Sequence, residues 1–375
     1  MAERADVLIL GGGVIGLTTA YFLARDGVRV ALLDKGDLGR EASWAGAGII
    51  PPGDARLART PIDRLRAHSS EMYPDLSLQL REQTGIDNGY HVCGGLEFVQ
   101  PGEAAPVEAW RAEGIAFREL ERDALRSVEP GLSPALPRAF HLPAMAQVRN
   151  PRHLKALIAA CEAEGVRLYP RRSAVGFVRS GSRIDAVQTE QGALSAAQFL
   201  VAAGAWTDGL LEQFGLRLGV RPVRGQMALL QTDDARPRPI LLLGRRYLVT
   251  RTDGRVLVGS TEEDVGYDAR PTAAAIGELL AFAVELVPAL AGAALERCWA
   301  GLRPGSPDGL PFLGPVPDMM NLFVAAGHYR AGIQQSPATA RAMTDLLLGR
   351  DPVVPLAAFR LDRPPAPPVW TAFRS

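Results

Sequence analysis

One arginine near the C-terminus has the surroundings expected of a ligand-binding residue. Arg303 lies between Gly301-Leu302 and Pro304-Gly305, a compact apolar setting that indicates burial. A buried guanidinium needs an anionic partner, because an unpaired buried charge is costly. A substrate carboxylate would meet that need through two parallel hydrogen bonds, and so would a structural Asp or Glu. The sequence therefore predicts a carboxylate contact at Arg303 and leaves its origin open.

A second chemical feature is a nucleotide fingerprint near the N-terminus. Apolar residues 7–10 lead into Gly11, Gly13 and Gly16, and a helical pattern then leads into a second apolar run that ends at Asp34. The glycines permit a tight turn, close approach of the backbone to a pyrophosphate, and close packing of helix on strand. The helix start offers free N–H groups to phosphates. Asp34 can accept hydrogen bonds from ribose hydroxyls, and its charge disfavours the 2′-phosphate of NADP.

The segment that follows favours FAD over NAD. Residues 39–50 read GREASWAGAGII and are mostly small. A backbone with few side chains can lie flat against a large planar ring, whereas a solvated loop would normally carry more charge. We therefore expect a flavin ring against this segment.

The rest of the chain supplies the elements that must position these residues. With 375 residues, 47% of them hydrophobic, the chain can bury a large core. Glycine turns near the start, the middle (Gly204) and the end, with sheet-rich segments between them, predict a discontinuous nucleotide domain and a substrate cleft beside a second domain. Helices are predicted over residues 61–85, within 115–132, and over 150–165, 273–287 and 337–348, and strands over 94–99, 175–179, 184–189, 193–200, 226–231, 240–243, 247–251, 256–259 and 322–325.

Composition argues against several classes of protein. The net charge is zero, so no basic field exists to attract nucleic acid. No stretch of about 18 uncharged apolar residues predicts a transmembrane helix, and the start has no apolar signal region, so we expect a cytoplasmic protein. Cys93, Cys161 and Cys298 are odd in number and far apart. We expect buried reduced thiols rather than a metal cluster or a disulfide framework.

Four stretches together resemble a known family. They are the glycine fingerprint, residues 39–50, residues 299–304 (WAGLRP) and residues 327–333 (GHYRAGI). Through these stretches the chain resembles the D-amino-acid oxidase superfamily, and most of all its glycine oxidase branch, which is associated with thiamine biosynthesis. The resemblance covers nearly the whole chain. The resemblance implies an α/β fold, α+β overall. A discontinuous Rossmann-like FAD-binding domain would comprise residues 1–85, 145–219 and 296–375, and a substrate domain on an antiparallel β-sheet residues 86–144 and 220–295.

The same resemblance implies the chemistry. Enzymes of this family hold FAD non-covalently and transfer a hydride from the substrate Cα to the flavin, which gives an imine. Dioxygen reoxidises the flavin with release of hydrogen peroxide, and water hydrolyses the imine to a keto acid and ammonia or an amine. The expected partners are O2 and glycine or another small amino acid, such as sarcosine or a small D-amino acid. The oligomeric state, including a homo-oligomer, stays open.

Site residues carry over from the family position by position. Arg303 and Tyr247 match the residues that hold the substrate carboxylate, and Arg330 matches a second arginine near the substrate. Gln334 stands where the family commonly has an aliphatic residue, and Glu262 stands where some relatives have an apolar pocket residue. The implied FAD contacts are Gly11, Gly13, Val14, Ile15, Gly16, Asp34, Lys35, Ala42, Ser43, Ala47, Gly48, Ile49, Val175, His328, Tyr329, Arg330, Ala331, Gly332, Ile333 and Gln334.

No side chain is predicted to act as a general acid or base. Hydride transfer from a neutral amine needs none, since the cofactor carries the difficult chemistry. His328 is the only histidine in a motif, and the remaining histidines are expected at the surface or in loops; they are His68, His91, His141 and His153.

Three alternatives remain open at this stage. A related D-amino-acid dehydrogenase would pass electrons to a quinone instead of oxygen. A sarcosine oxidase-like enzyme would bind flavin covalently through a cysteine, but Cys298 does not have the expected position. A flavin-binding protein without catalysis would not need Arg303, Arg330 and Tyr247.

Overall fold

The computed structural model describes residues 4–99, 104–233, 236–364 and 367. The strands are β1 (Ala5–Leu10), β2 (Val30–Leu33), β3 (Ile49–Ile50), β4 (His91–Val92), β5 (Gly95–Phe98), β6 (Arg118–Glu121), β7 (Arg138–Leu142), β8 (Ala146–Gln147), β9 (Arg167–Tyr169), β10 (Ala174–Ser180), β11 (Arg183–Thr189), β12 (Leu194–Val201), β13 (Arg221–Gln231), β14 (Ile240–Leu243), β15 (Arg246–Thr250), β16 (Arg255–Gly259), β17 (Ala294–Gly305), β18 (Phe312–Pro315) and β19 (Leu322–Ala326). The helices are α1 (Val14–Arg25), α2 (Ala42–Ala45), α3 (Pro61–Thr84), α4 (Val107–Ala112), α5 (Arg122–Val128), α6 (Asn150–Ala163), α7 (Thr207–Leu211), α8 (Ala273–Leu286) and α9 (Gly332–Leu347).

The first sheet contains the predicted nucleotide unit. Its strand order is β10-β11-β12-β1-β2-β9, and β19 pairs with β12 while β18 pairs with β19. The pairs β12–β1, β1–β2, β2–β9 and β12–β19 are parallel. Strands β1 and β2 are nearly continuous apolar runs, as strands buried on both faces require. Helices α1, α3, α6 and α9 contribute to the core on one face of this sheet.

The second sheet also has eight strands and is mostly antiparallel. Its order is β17-β13-β16-β15-β14-β5-β7-β6, and only the β14–β5 pair among its neighbours is parallel. Helix α8 covers one face through Leu279, Phe282 and Leu286, which pack with alternate strand residues. The opposite face carries Met227 and Tyr247 in a separate apolar cluster. This second face is the one turned toward the candidate site.

Helix α9 begins at Gly332, so the predicted start at Pro337 is wrong. A proline is favoured in the first turn of a helix and is costly in its interior. Pro337 instead lies inside α9, where it cannot donate to the carbonyl of Ile333. That carbonyl accepts hydrogen bonds from the hydroxyls of Tyr73 and Ser336. A tyrosine from α3 therefore replaces the missing helical bond, which no local pattern could reveal.

Two further sequence predictions are corrected by burial. His153 was expected at the surface or in a loop, but it is buried in α6 beside Asn88, and burial lowers its pKa to about 4. Cys298 was expected to be buried, but it is exposed, because it lies on β17 at the edge of the second sheet, and Cys93 is only half-buried. Of the predicted thiols, Cys161 is fully buried.

Strand β17 was not predicted from the sequence. It pairs with β13 along its whole length, so the expected domain boundary between residues 295 and 296 lies inside a single strand.

In the residues that the structure describes, no helix is both long and apolar enough to cross a bilayer.

Candidate active site

A single elongated cavity connects the glycine turn of the first sheet with the inner face of the second. Its volume is about 440 Å³. One end lies between β1 and the start of α1, and the other lies against β13, β15 and β17. The predicted site residues that line it are Gly11, Gly13, Val14, Ile15, Asp34, Lys35, Ala42, Ser43, Ala47, Gly48, Ile49, Tyr247, Arg303, His328, Tyr329, Arg330, Gly332, Ile333 and Gln334.

The glycine turn is as compact as the fingerprint predicts. A Cβ on Gly16 would lie 1.9 Å from the carbonyl oxygen of Gly11, so helix α1 can pack on β1 only with glycine there. Helix α1 has no acidic residue in its first turn. Gly13, Val14 and Ile15 at its start line the cavity, and the N–H of Val14 donates to the hydroxyl of Ser43 at 3.0 Å. The partial positive charge of this helix start suits a phosphate.

Asp34 ends β2 at the cavity wall. Its carboxylate accepts hydrogen bonds from the N–H groups of Gly12 and Gly36, each at 2.7 Å. Burial raises its pKa, and these two bonds oppose that rise. A carboxylate has further lone pairs, so ribose hydroxyls can still donate to it. Next to it, the ammonium of Lys35 lies 3.3 Å from the ring centre of Trp206, a cation–π contact that also lines the cavity.

The small-residue segment forms the wall between the two ends. A Cβ on Gly301 would lie 2.5 Å from the Cβ of Ala45, so β17 and helix α2 are in direct contact. From the second sheet, the guanidinium of Arg251 donates to the carbonyls of Ala47 and Val148 at 2.7 and 2.9 Å. Arg251 is buried and thereby ties this segment to β15.

The substrate end contains an arginine that makes no direct salt bridge with the residues that the structure describes. Arg303 donates to the carbonyl of Thr261 at 2.9 Å and to the hydroxyl of Ser260 at 2.7 Å, and both acceptors are neutral. Among the described residues, no carboxylate forms a salt bridge with Arg303. Burial, and then the charge of Arg330, lower the pKa of this guanidinium. No structural carboxylate is bonded to Arg303 in the described residues, although the charge of nearby Glu262 opposes the fall of its pKa, and a ligand carboxylate fits the position.

Tyr247 and Gly225 complete this end. The hydroxyl of Tyr247 lies 3.4 Å from the sulfur of Met227, a weak acceptor that leaves the phenol available to a ligand. Gly225 lies on β13 opposite β17, and a Cβ there would come within 2.1 Å of the Arg303 guanidinium. The bare backbone of Gly225 thus makes room for the arginine.

The loop between β19 and α9 closes the cavity. His328 is buried, its Nε2 lies 3.1 Å from the hydroxyl of Thr339, and burial lowers its pKa to about 3. Arg330 donates to Glu262 at 3.2 Å, and the hydroxyl of Tyr329 donates to the other oxygen of the same carboxylate. Glu263, the next residue in the sequence, accepts a hydrogen bond from Arg224 instead. The two acids therefore serve different arginines.

Some predicted residues do not line the cavity, and some lining residues were not predicted. Gly16 and Ala331 support the wall from behind, and Val175 is exposed, although its neighbour Ala174 lines the cavity. Gly225 and Trp206 line the cavity without having been predicted. Trp206 follows the Gly204 turn, which was a usable signal, whereas Gly225 has meaning only once β13 and β17 are paired.

The cavity fits FAD. One end has the glycine turn, an acid-free helix start and a ribose-binding carboxylate, and the wall beyond it is formed by small residues against which a ring can lie. None of the three cysteines, all of which the structure describes, lines the cavity. This arrangement offers no thiol for covalent attachment.

Comparison with known proteins decides the family. The family model described as FAD dependent oxidoreductase (DAO) matches residues 6–346. The chain belongs to the FAD-dependent oxidoreductase family. This result confirms the predicted family and the predicted cofactor.

Individual members of this FAD-dependent oxidoreductase family are similar over nearly the full length of this chain. The glycine oxidase of Pseudomonas putida is 42% identical over 94% of this chain and 97% of its own. The crystal structure of glycine oxidase from Geobacillus kaustophilus has a TM-score of 0.90 at 33% identity, covering 97% of this chain and all of that one. The bifunctional protein ThiO/ThiG of Synechocystis is 36% identical over 93% of this chain, which spans 52% of that protein. The predicted fold class is confirmed by the structural match.

Proposed function

We propose that this FAD-dependent oxidoreductase oxidises glycine to glyoxylate, with release of ammonia and hydrogen peroxide. The observation that carries the proposal is Arg303, a half-buried cation at the end of the cavity that is bonded to two neutral acceptors. The similarity of this protein to glycine oxidases over almost the entire chain supports the choice of substrate. The association of this branch with thiamine biosynthesis is part of the proposal, and the ThiO/ThiG relative supports it.

Protein side chains position the substrate in this reaction. Arg303 binds the carboxylate through its remaining N–H groups, and the Tyr247 phenol donates to the same group. Together they orient the Cα–H bond toward the wall formed by residues 42–49. FAD, when bound, accepts the hydride and passes its electrons to dioxygen. The imine of glycine then reacts with water.

The amine loses its proton without help from a side chain in this proposal. His328 is the histidine of the cavity wall, and burial lowers its pKa to about 3, so it is neutral but fully enclosed. Its Nε2 already lies within hydrogen-bonding distance of Thr339. The substrate therefore reacts as the minor species whose amine is neutral. Cysteines without disulfide partners fit the reducing cytoplasm as the place of reaction.

The test is peroxide release by the FAD-loaded protein with glycine, sarcosine and small D-amino acids. Anaerobic flavin reduction by the same compounds should be measured in parallel, followed by reoxidation with air or with a quinone. Glycine should reduce the flavin and air should reoxidise it with formation of peroxide. Flavin that glycine does not reduce would overturn the proposed substrate, and reoxidation by quinone but not by air would overturn the oxidase assignment.

A further inference from the structure

The carboxylate of Glu262 is bound by two loops that meet at the substrate end of the cavity, which we call the entrance loops: the turn that contains Arg245 and the segment that contains Tyr329 and Arg330. Glu262 accepts a hydrogen bond from Tyr329 and one from Arg330, and it forms a salt bridge with Arg245 at 2.9 Å. Arg245 belongs to the turn between β14 and β15, whereas Tyr329 and Arg330 follow β19. Arg330 also donates to the backbone carbonyl of Arg245 at 3.0 Å.

These contacts stabilise the ionised form of the Glu262 carboxylate. Its burial opposes ionisation, but the hydrogen bond from Tyr329 and the charges of Arg330, Arg245 and Arg303 together outweigh burial, so the pKa of Glu262 lies below its ordinary value. The residue is ionised at neutral pH. Its side chain is 23% exposed and that of Arg330 only 9%, so water screens this ion pair less than a surface pair.

The two arginines of the site thus differ in charge balance. Arg303 is held by neutral acceptors from Ser260 and Thr261, and the next residue in the chain, Glu262, neutralises Arg330. The three-residue segment 260–262 therefore leaves Arg303 without a direct ion pair and binds Arg330 in one, although the charge of Glu262 also acts on Arg303. Tyr329, which has a left-handed backbone conformation with φ of 49°, is held in place by the same carboxylate.

We propose that Glu262 is a positioning residue that restricts the enzyme to amino acids with a single carboxylate. By pairing with Arg330 and Arg245, which both line the cavity, it occupies two cations that a second acidic group could use, and its own charge repels that group. Glycine and sarcosine, with one carboxylate bound at Arg303, are accepted, whereas iminodiacetate and D-aspartate are rejected. This inference rests on the proposed function, because it names the substrate class of the same site.

The decisive variant is Glu262→Gln, which keeps the shape and a hydrogen-bond acceptor for Tyr329 but removes the charge. The FAD-loaded enzyme is assayed for kcat and KM with glycine and with iminodiacetate. The ratio of kcat/KM for iminodiacetate to that for glycine should rise by about tenfold or more, through KM, as expected when one like charge is removed nearby. The matched control is Glu119→Gln, which removes an exposed carboxylate of the same sheet that is paired with Arg138 at 2.8 Å, and neither residue lines the cavity. The control should leave the ratio unchanged.

A second variant tests whether Glu262 acts through Arg330. Adding Arg330→Met to Glu262→Gln should cancel the gain with iminodiacetate. Glu97 also lines the cavity, and because it is present in every variant its charge cannot account for a difference between them. An unchanged ratio in Glu262→Gln, or efficient turnover of iminodiacetate by the unsubstituted enzyme, would overturn the inference. A gain that persists in the double variant would overturn the role of Arg330.

A binding measurement separates this inference from the proposed function. Acetate and malonate, which carry one and two carboxylates, can be titrated against the flavin absorbance without turnover. Malonate should gain affinity relative to acetate in Glu262→Gln by about tenfold. If glycine fails to reduce the flavin while malonate gains affinity as expected, the proposed function fails and the role of Glu262 stands. If glycine is oxidised and malonate gains nothing, the role of Glu262 fails alone.

Discussion

Replacing Arg303 by alanine should weaken substrate binding strongly while FAD stays bound. In the structure the guanidinium makes two hydrogen bonds, to Thr261 and Ser260, and its other N–H groups are left for a ligand. Loss of a charge-assisted contact to a buried carboxylate costs roughly 2 to 4 kcal/mol, or about 30- to 1,000-fold in affinity. Losing the two bonds to neutral acceptors adds about 1 kcal/mol each to the cost in stability, which is within what a chain of this size tolerates.

The assay is KM for glycine, together with the dissociation constant of acetate from its effect on the flavin spectrum. Both should rise in Arg303→Ala by the same factor, because both report the carboxylate contact. Arg303→Lys should recover part of the loss, since an ammonium lacks the planar fork. The control is Arg255→Ala, which removes an arginine of the same sheet that is paired with Glu296 at 2.7 Å. Near-normal KM and acetate affinity in Arg303→Ala would remove this residue from the site.

Three further outcomes are expected. Acid or heat should release intact FAD from the yellow protein, since no cysteine lines the cavity, and flavin that remained on the denatured chain would contradict this. Flavin reduction by glycine should speed up through the mildly alkaline range and level off, and His328→Asn should keep that rise because burial already lowers the pKa of His328 to about 3; a lost rise would reveal a histidine base. Gly225→Ala should raise KM by on the order of tenfold, because its Cβ would displace the Arg303 guanidinium, whereas Gly277→Ala, with open space around its Cβ, should not; equal kinetics of the two variants would refute the steric argument.

The parts of this fold that local patterns determine were predictable. The βαβ unit has its own turn, helix and acid within a short stretch, and the structure has Gly11 in the turn, Gly16 in the helix and Asp34 directly after the second strand, as predicted. Their contacts with FAD stay predictions. Helix α3 likewise begins and ends at local signals. Thr60 caps it by accepting from the N–H of Asp63, and Pro61 occupies the first turn.

The parts that depend on distant contacts were not predictable in the same way. Arg303 was expected to be buried beside a carboxylate, but the neutral bonds from Ser260 and Thr261 arise only when β16 and β17 lie on either side of β13. Helix α9 starts early because Tyr73, far away in sequence, bonds the carbonyl that Pro337 leaves free. The role of Glu262 depends in the same way on two loops meeting at the entrance.

The contact between β17 and the loop after β19 limits how the substrate preference of such an enzyme can change. The N–H of Tyr329 donates to the carbonyl of Pro304 at 2.9 Å, and Gly305 bridges to His328, so the two sheets share one continuous wall. Transplanting the second sheet from a relative as a module would disrupt that wall along with the ring-binding segment. Arg245 and Glu262, by contrast, lie outside the strands and can be exchanged singly. New substrate preferences in this architecture are therefore expected to arise by single substitutions in the loops around Arg245 and Glu262, while the two sheets stay unchanged.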